Sequence, residues 1–186
     1  MVLGKLKGSS FEREICKRLS FWISNNSRDD IFWRTSSSGG RYTFRKKFRL
    51  KDTYNQAGDV TNIHPDGEFF VKNFILELKF YKKIDIWDLF GNKDKKVLLL
   101  DWWYKLNDEC QKVNKIPMLI VKENYKPTLL LTNSHFGNFL EKEFNFEIKV
   151  VWNPGKENIV IGLLDDFLKI DVSYFKERVA KLNLNS

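Results

Sequence analysis

Cysteine and histidine are scarce, with two of each among the 186 residues. Cys16 and Cys110 show no CxxC spacing, and neither His64 nor His135 pairs with them in sequence. A disulfide framework and a structural zinc site are therefore not expected, and a reducing cytoplasm is the simpler compartment. Long apolar runs are missing too. Charged residues, 30% of the chain, interrupt every apolar stretch before it reaches the ~20 residues of a membrane helix, so no membrane partner is expected. The opening MVLGKLKGSSFERE lacks the apolar core and small-residue cleavage site of a secretory signal. No internal repeat or low-complexity segment is present.

What is there is apolar and basic. Hydrophobic residues make up 42% and aromatics 15%, with 16 Phe and 6 Trp, too much apolar material for a disordered chain. The length fits one domain, since ~150 residues already bury about 70% of the surface the unfolded chain exposes. Against 24 acidic residues stand 32 Lys and Arg, a formal charge of +8 that favours polyanion partners. Placement says more than the total. Arg41, Arg45, Lys46, Lys47, Arg49 and Lys51 form the densest cluster, with no acid until Asp52. Tyr42, Phe44 and Phe48 are interleaved, so planar faces could stack on unpaired bases while the cations meet phosphates. A solvated edge strand is the plainer alternative. The local density favours nucleic-acid contact.

The chain alternates helical and strand patterns. Ser9 or Ser10 can cap a first helix whose Phe11, Ile15, Leu19 and Trp22 recur at helical spacing, and Asn25-Asn26-Ser27 ends it. Short strands follow at Ile31–Thr35 and Gly58–Ile63, separated by the Ser36–Gly40 loop and the basic segment. Pro65-Asp66-Gly67 is a turn signal, and Phe74–Phe80 the next strand, expected antiparallel to the one before. An amphipathic helix is predicted over roughly Lys95 to Asn114, with Leu98, Leu99, Trp102, Leu106 and Cys110 near one face. Strands at Ile116–Val121, Thr128–Thr132, Glu147–Trp152 and Asn158–Leu163, and a closing helix after Ser173, complete an α/β or α+β architecture.

Glu77-Leu78-Lys79 carries the chemistry. Ile75, Glu77 and Lys79 share one face of their strand, and Phe74, Leu76, Leu78 and Phe80 the other. The continuous apolar face should lie against a helix, leaving a carboxylate and an ammonium side by side at the end of a buried strand. Alone, such a pair is more simply a surface ion pair. Asp59 changes that judgement, because hairpin pairing across Pro65-Asp66-Gly67 can bring its carboxylate beside Glu77. Two hard oxygen ligands with positions left for water and phosphate suit Mg²⁺, with Mn²⁺ as a substitute. Lys79 could orient a water or offset developing negative charge. Phosphodiester hydrolysis needs this division of labour.

Gly58-Asp59-Val60 and Glu77-Leu78-Lys79 resemble the motif positions of the PD-(D/E)XK nuclease superfamily. Gly8-Ser9-Ser10-Phe11-Glu12-Arg13-Glu14-Ile15 resembles the first-helix signature of its resolvase-like branch, whose Glu contributes to the metal site. Arg34-Thr35-Ser36-Ser37-Ser38-Gly39 resembles the strand and loop that follow there. The helix with Trp102, Trp103 and Gln111, leading into Ile116-Pro117-Met118, resembles a segment of archaeal and phage Holliday junction resolvases. The resemblance covers about residues 4 to 132. It implies a restriction-endonuclease-like core within a single nuclease domain spanning 1–186, with a C-terminal extension, 139–186, of unassigned role. The activity implied is a Mg²⁺-dependent DNA endonuclease acting on branched DNA as a homodimer, in the cytoplasm of a prokaryote or of a phage- or virus-infected cell. Asp59, Glu77, the Leu78 carbonyl and Glu12 would hold the metal, and Lys79 would assist the water.

The sequence also departs from that pattern. Gly58 stands where the motif has Pro, and Pro65-Asp66 offers a rival acid. Asp59 is preferred because Pro-Asp-Gly is ordinary turn chemistry. Ser9-x-x-Glu12 also fits a capping box. Ser36, Ser37, Ser38 and Arg34 could meet a phosphate, as could Lys82 and Lys83 beyond the catalytic strand. Gln111 reads as a surface amide, and His64 and His135 as structural residues in a turn and a loop. A restriction-type or repair endonuclease, and a non-catalytic DNA-binding protein, are the competing readings.

Overall fold

The computed structural model describes residues 2–35, 57–84, 97–153, 155 and 158–182. Helix α1 (Val2–Ile23) buries the expected stripe of Phe11, Ile15, Leu19 and Trp22. It begins well before Ser9 and Ser10, so neither caps it and Glu12 lies in the helix interior. The capping-box alternative for Glu12 is thereby corrected. Seryl and glycyl propensities are weak priors that a continuous helix overrides. Asn25 and Asn26, at φ 51° and 64°, end the segment as expected.

Strands β1 (Phe32–Arg34) and β2 (Val60–Asn62) pair antiparallel, with Trp33 opposite Thr61 and Arg34 opposite Val60. The hairpin expected between the strand of Asp59 and that of Glu77 does not form. Pro65–Gly67 is instead a turn of 3-10 helix, which His64 starts by accepting a hydrogen bond at Nδ1 from the Asp66 N–H. It leads into the short helix α2 (Glu68–Asn73). Proline at a first helical position forfeits no needed N–H, and burial of Phe70 and Val71 draws the chain into the core rather than back along a strand.

The main sheet contains β3 (Phe74–Tyr81), β4 (Ile116–Glu123), β5 (Leu129–Asn133), β6 (Val150–Trp152) and β7 (Ile159–Leu163). Its order is β3-β4-β5-β7-β6. Among the described strands only β3 and β4 run parallel, with Glu77 beside Leu119, and the crossover between them carries helix α3 (Leu98–Val113). The other neighbours are antiparallel. Strand alternation divides the core between the two faces. Leu76, Leu78, Met118 and Ile120 pack toward α1, whereas Ile75, Leu119 and Val121 pack toward α3. The α/β class with helices flanking a mixed sheet is as expected.

On α3, both Trp102 and Trp103 are buried, and Leu98, expected on the apolar face, is exposed. Helices α4 (Ser134–Phe144), α5 (Leu164–Phe167) and α6 (Val172–Ala180) complete the chain. His135 therefore lies on α4, not in a loop. The C-terminal stretch is built into the fold, since β7 sits between β5 and β6, and Phe175 of α6 meets the rings of Trp22, Phe74 and Phe167. Among the described residues no helix is long and apolar enough to cross a membrane.

Candidate active site

Asp59 reaches Glu77 by a backbone approach rather than a hairpin. Gly58 has φ +76°, and a Cβ there would lie 2.4 Å from the Leu76 carbonyl oxygen. Only glycine tolerates both the left-handed conformation and the contact, which accounts for Gly58 where the resembled motif has Pro. The Asp59 N–H then donates to the Leu76 carbonyl at 2.7 Å, and Thr35 N–H donates to the Asp59 carbonyl at 3.0 Å. The Thr35 hydroxyl adds a 2.9 Å bond to the Gly58 carbonyl. Sequence reasoning gave Thr35 no role, and its contribution depends on a fold contact that spacing does not reveal.

With the backbone fixed, Leu78 N–H donates to Asp59 Oδ2 at 2.9 Å. Glu77 and Lys79 flank Leu78 and form an ion pair with each other, both half-buried. Asp59, Glu77 and Lys79 are thus brought together. Asp66 is not: it lies exposed in the 3-10 turn beside His64.

The electrostatics of the cluster are unusual. Burial, and then the Glu77 charge, push the Asp59 carboxyl up to about 7, with a smaller contribution from Glu12. The Leu78 N–H and the Lys79 ammonium oppose that rise. For Lys79, burial acts to lower the pKa, but the carboxylates of Glu77 and Asp59 outweigh it and the net shift is upward. Lys79 is therefore charged at neutral pH. Cys16 lies close by, its thiol pushed up to about 12 by burial first and then by Glu12 and Asp59, which leaves it unreactive.

Glu12 Oε2 accepts from Arg34 Nη1 at 3.2 Å, so α1 and β1 deliver an ion pair to the edge of the cluster. Lys82 and Lys83 are exposed just past β3, and Gln111 is exposed on α3. Ser36, Ser37, Ser38, Arg41, Arg45, Lys46, Lys47 and Arg49 lie outside the described residues.

These donors fit a divalent ion. Among the described residues no group of three His, Cys, Asp or Glu side chains could hold a metal. Mg²⁺ is commonly bound through one or two carboxylates while keeping several waters. Burial and then the Glu77 charge raise the Asp59 carboxyl, and a cation between the two carboxylates would lower it again.

The chain matches a family model described as phage putative PDDEXK endonuclease over residues 4–177. No curated protein matches it, and no solved structure does.

Proposed function

The chain belongs to this phage PDDEXK endonuclease family of nucleases, and we propose that it is a metal-dependent enzyme hydrolysing phosphodiester bonds within branched DNA. The observation that carries this reading is the convergence of Asp59, Glu77 and Lys79 around Leu78. Asp59, Glu77 and the Leu78 carbonyl would hold Mg²⁺, or Mn²⁺ in its place. Glu12 is the third acidic member, felt by Asp59 through its charge and shared with Arg34. Bound there, the ion would acidify a water and neutralise charge on the scissile phosphate.

The chain's own groups do the rest. Lys79, kept protonated by two carboxylates, orients the attacking water and offsets negative charge as the phosphorus gains its fifth oxygen. Glu77 positions that ammonium through their ion pair. Leu78 N–H holds the Asp59 carboxylate facing the site instead of turning into the core. Arg34 and the Ser36–Ser38 loop meet the phosphate backbone. Arg41, Arg45, Lys46, Lys47 and Arg49 grip the DNA near the cut, and Lys82 and Lys83 add contacts from just past the catalytic strand. Thr35 and Gly58, which flank this basic segment in the chain, are tied to each other at the site by the bond from the Thr35 hydroxyl to the Gly58 carbonyl. Symmetric cutting of a four-way junction would engage a homodimer, as in the resolvases whose motifs the sequence resembles.

The reading is tested with four-way junction, flap, nicked and linear duplex substrates, with and without Mg²⁺. Junction cutting that requires the metal and exceeds duplex cutting is the expected result. Preference for plain duplex would favour a restriction-type enzyme, and no cutting of any substrate would refute catalysis.

A further inference from the structure

Two exposed aromatic rings sit on strands next to the site, Trp33 on β1 of the two-stranded sheet and Tyr81 at the end of β3 in the five-stranded sheet. Phe32 and Val60 point into the core that α1 shares with Leu76 and Leu78. Strand alternation therefore turns Trp33 and its partner Thr61 away from that core. The Asp59 N–H bond to the Leu76 carbonyl sets this small sheet beside β3, where Glu77 and Lys79 also point away from the same core. Trp33 is 49% exposed. Thr61, opposite it, lies two residues from Asp59, about 7 Å of extended chain. At the other end, Tyr81 stands two residues past Lys79 on the same side of β3 and is 42% exposed. Its ring is held 4.8 Å from that of buried Trp102.

Neither ring fills the core, which Phe32, Trp102 and Trp103 already occupy at those places. Single exposed aromatics are common on protein surfaces. Here, however, one lies beyond Asp59 and the other beyond Lys79, on the side where the carboxylate and ammonium face outward. A duplex presents no free base face to either ring, whereas an opened strand presents one on each side of the phosphate being cut.

Building on the nuclease reading above, we propose that Trp33 and Tyr81 are stacking surfaces for unpaired bases flanking the cut. The enzyme then selects DNA whose strands are already open at that point. Such stacking tolerates any base, so the selection is for structure and not sequence.

The test compares cutting of a fork, with unpaired nucleotides on both sides of the branch, with cutting of the matched full duplex. The proteins are the full chain, Trp33→Ala, Tyr81→Ala, Trp33→Phe and Tyr81→Phe. Each Ala variant should lower the fork-to-duplex ratio about tenfold, while each Phe variant keeps it within about twofold. A second readout does not depend on catalysis. In a Glu77→Gln background, 2-aminopurine at an unpaired position should be quenched on binding, and adding Trp33→Ala or Tyr81→Ala should remove the quench on its side. An unchanged ratio and quench in an Ala variant overturn the role of that ring. A wild-type chain that cuts neither substrate refutes the nuclease reading instead, and the quench still decides the stacking.

Discussion

The Leu78 backbone N–H donates to Asp59 Oδ2 at 2.9 Å. That single bond registers an acid from one strand segment against the Glu77-Leu78-Lys79 run of another, and it depends on the close approach at Gly58. Gly58→Ala would strain a φ of +76° and push a methyl to within 2.4 Å of the Leu76 oxygen. A stability loss of about 1–3 kcal/mol is expected. Activity should fall further than the folded fraction does, because the displaced chain carries Asp59 away from Leu78. Denaturant melts run beside cleavage assays at a temperature where the variant is folded would separate the two effects.

The buried Asp59 carboxyl predicts an inverted pH response. Its folded pKa of about 7 lies above the ordinary 3.8. Between those values the folded protein holds a proton that the unfolded chain has released, so metal-free stability falls as pH rises through the window and levels off above it. Asp59→Asn removes this penalty. The variant should be more stable than wild type at pH 8 in chelator, with the difference vanishing near pH 4. Adding Mg²⁺ at pH 8 should raise the wild-type Tm and leave that of the variant unmoved. Thermal melts followed by circular dichroism read both effects.

As proposed, the cations of the basic segment have a role in grip and not in chemistry. Replacing Lys46 and Lys47 with Ala should weaken binding to all DNA forms alike and flatten log Kd against log salt by about 0.9 per lost phosphate contact. Fluorescence anisotropy across a salt series measures this slope. An unchanged slope would remove both lysines from the interface.

The C-terminal stretch should be needed for folding. Phe175 is fully buried against Trp22, Phe74, Phe144 and Phe167. Phe175→Ala should therefore cost about 3–5 kcal/mol, measured by urea unfolding. A loss below about 1 kcal/mol would mean that α6 is a dispensable cover.

The parts legible in the sequence were those written in strong local periodicity. Alternation around Glu77 gave β3 and its two faces, and the Leu99–Trp102–Leu106–Cys110 spacing gave α3. The hairpin reading failed because Pro65-Asp66-Gly67 serves equally well to begin a helix, and the deciding factor is burial of Phe70 and Val71. Helix α4 did carry a signal: Asn133 caps it through Phe136 N–H, and Asn145 ends it in the left-handed conformation. Its apolar residues, Phe136, Phe139, Leu140 and Phe144, follow helical spacing, but Gly137 and two nearby asparagines masked the pattern. Asp59 was found by pattern, yet the means of holding it was not. Gly58, Thr35 and the Leu78 N–H are contacts between segments distant in the chain, which local spacing does not encode. The exposure of Trp33 and Tyr81 is likewise a property of the fold.

Cleavage of one four-way junction in Mg²⁺ by wild type, Asp59→Asn and Glu77→Gln, with binding measured in parallel, tests the central assignment most directly. Both variants should bind the junction about as tightly as wild type, because grip comes mainly from cations, and neither should cut it. Cutting by Glu77→Gln at the wild-type rate would contradict the assignment of the site.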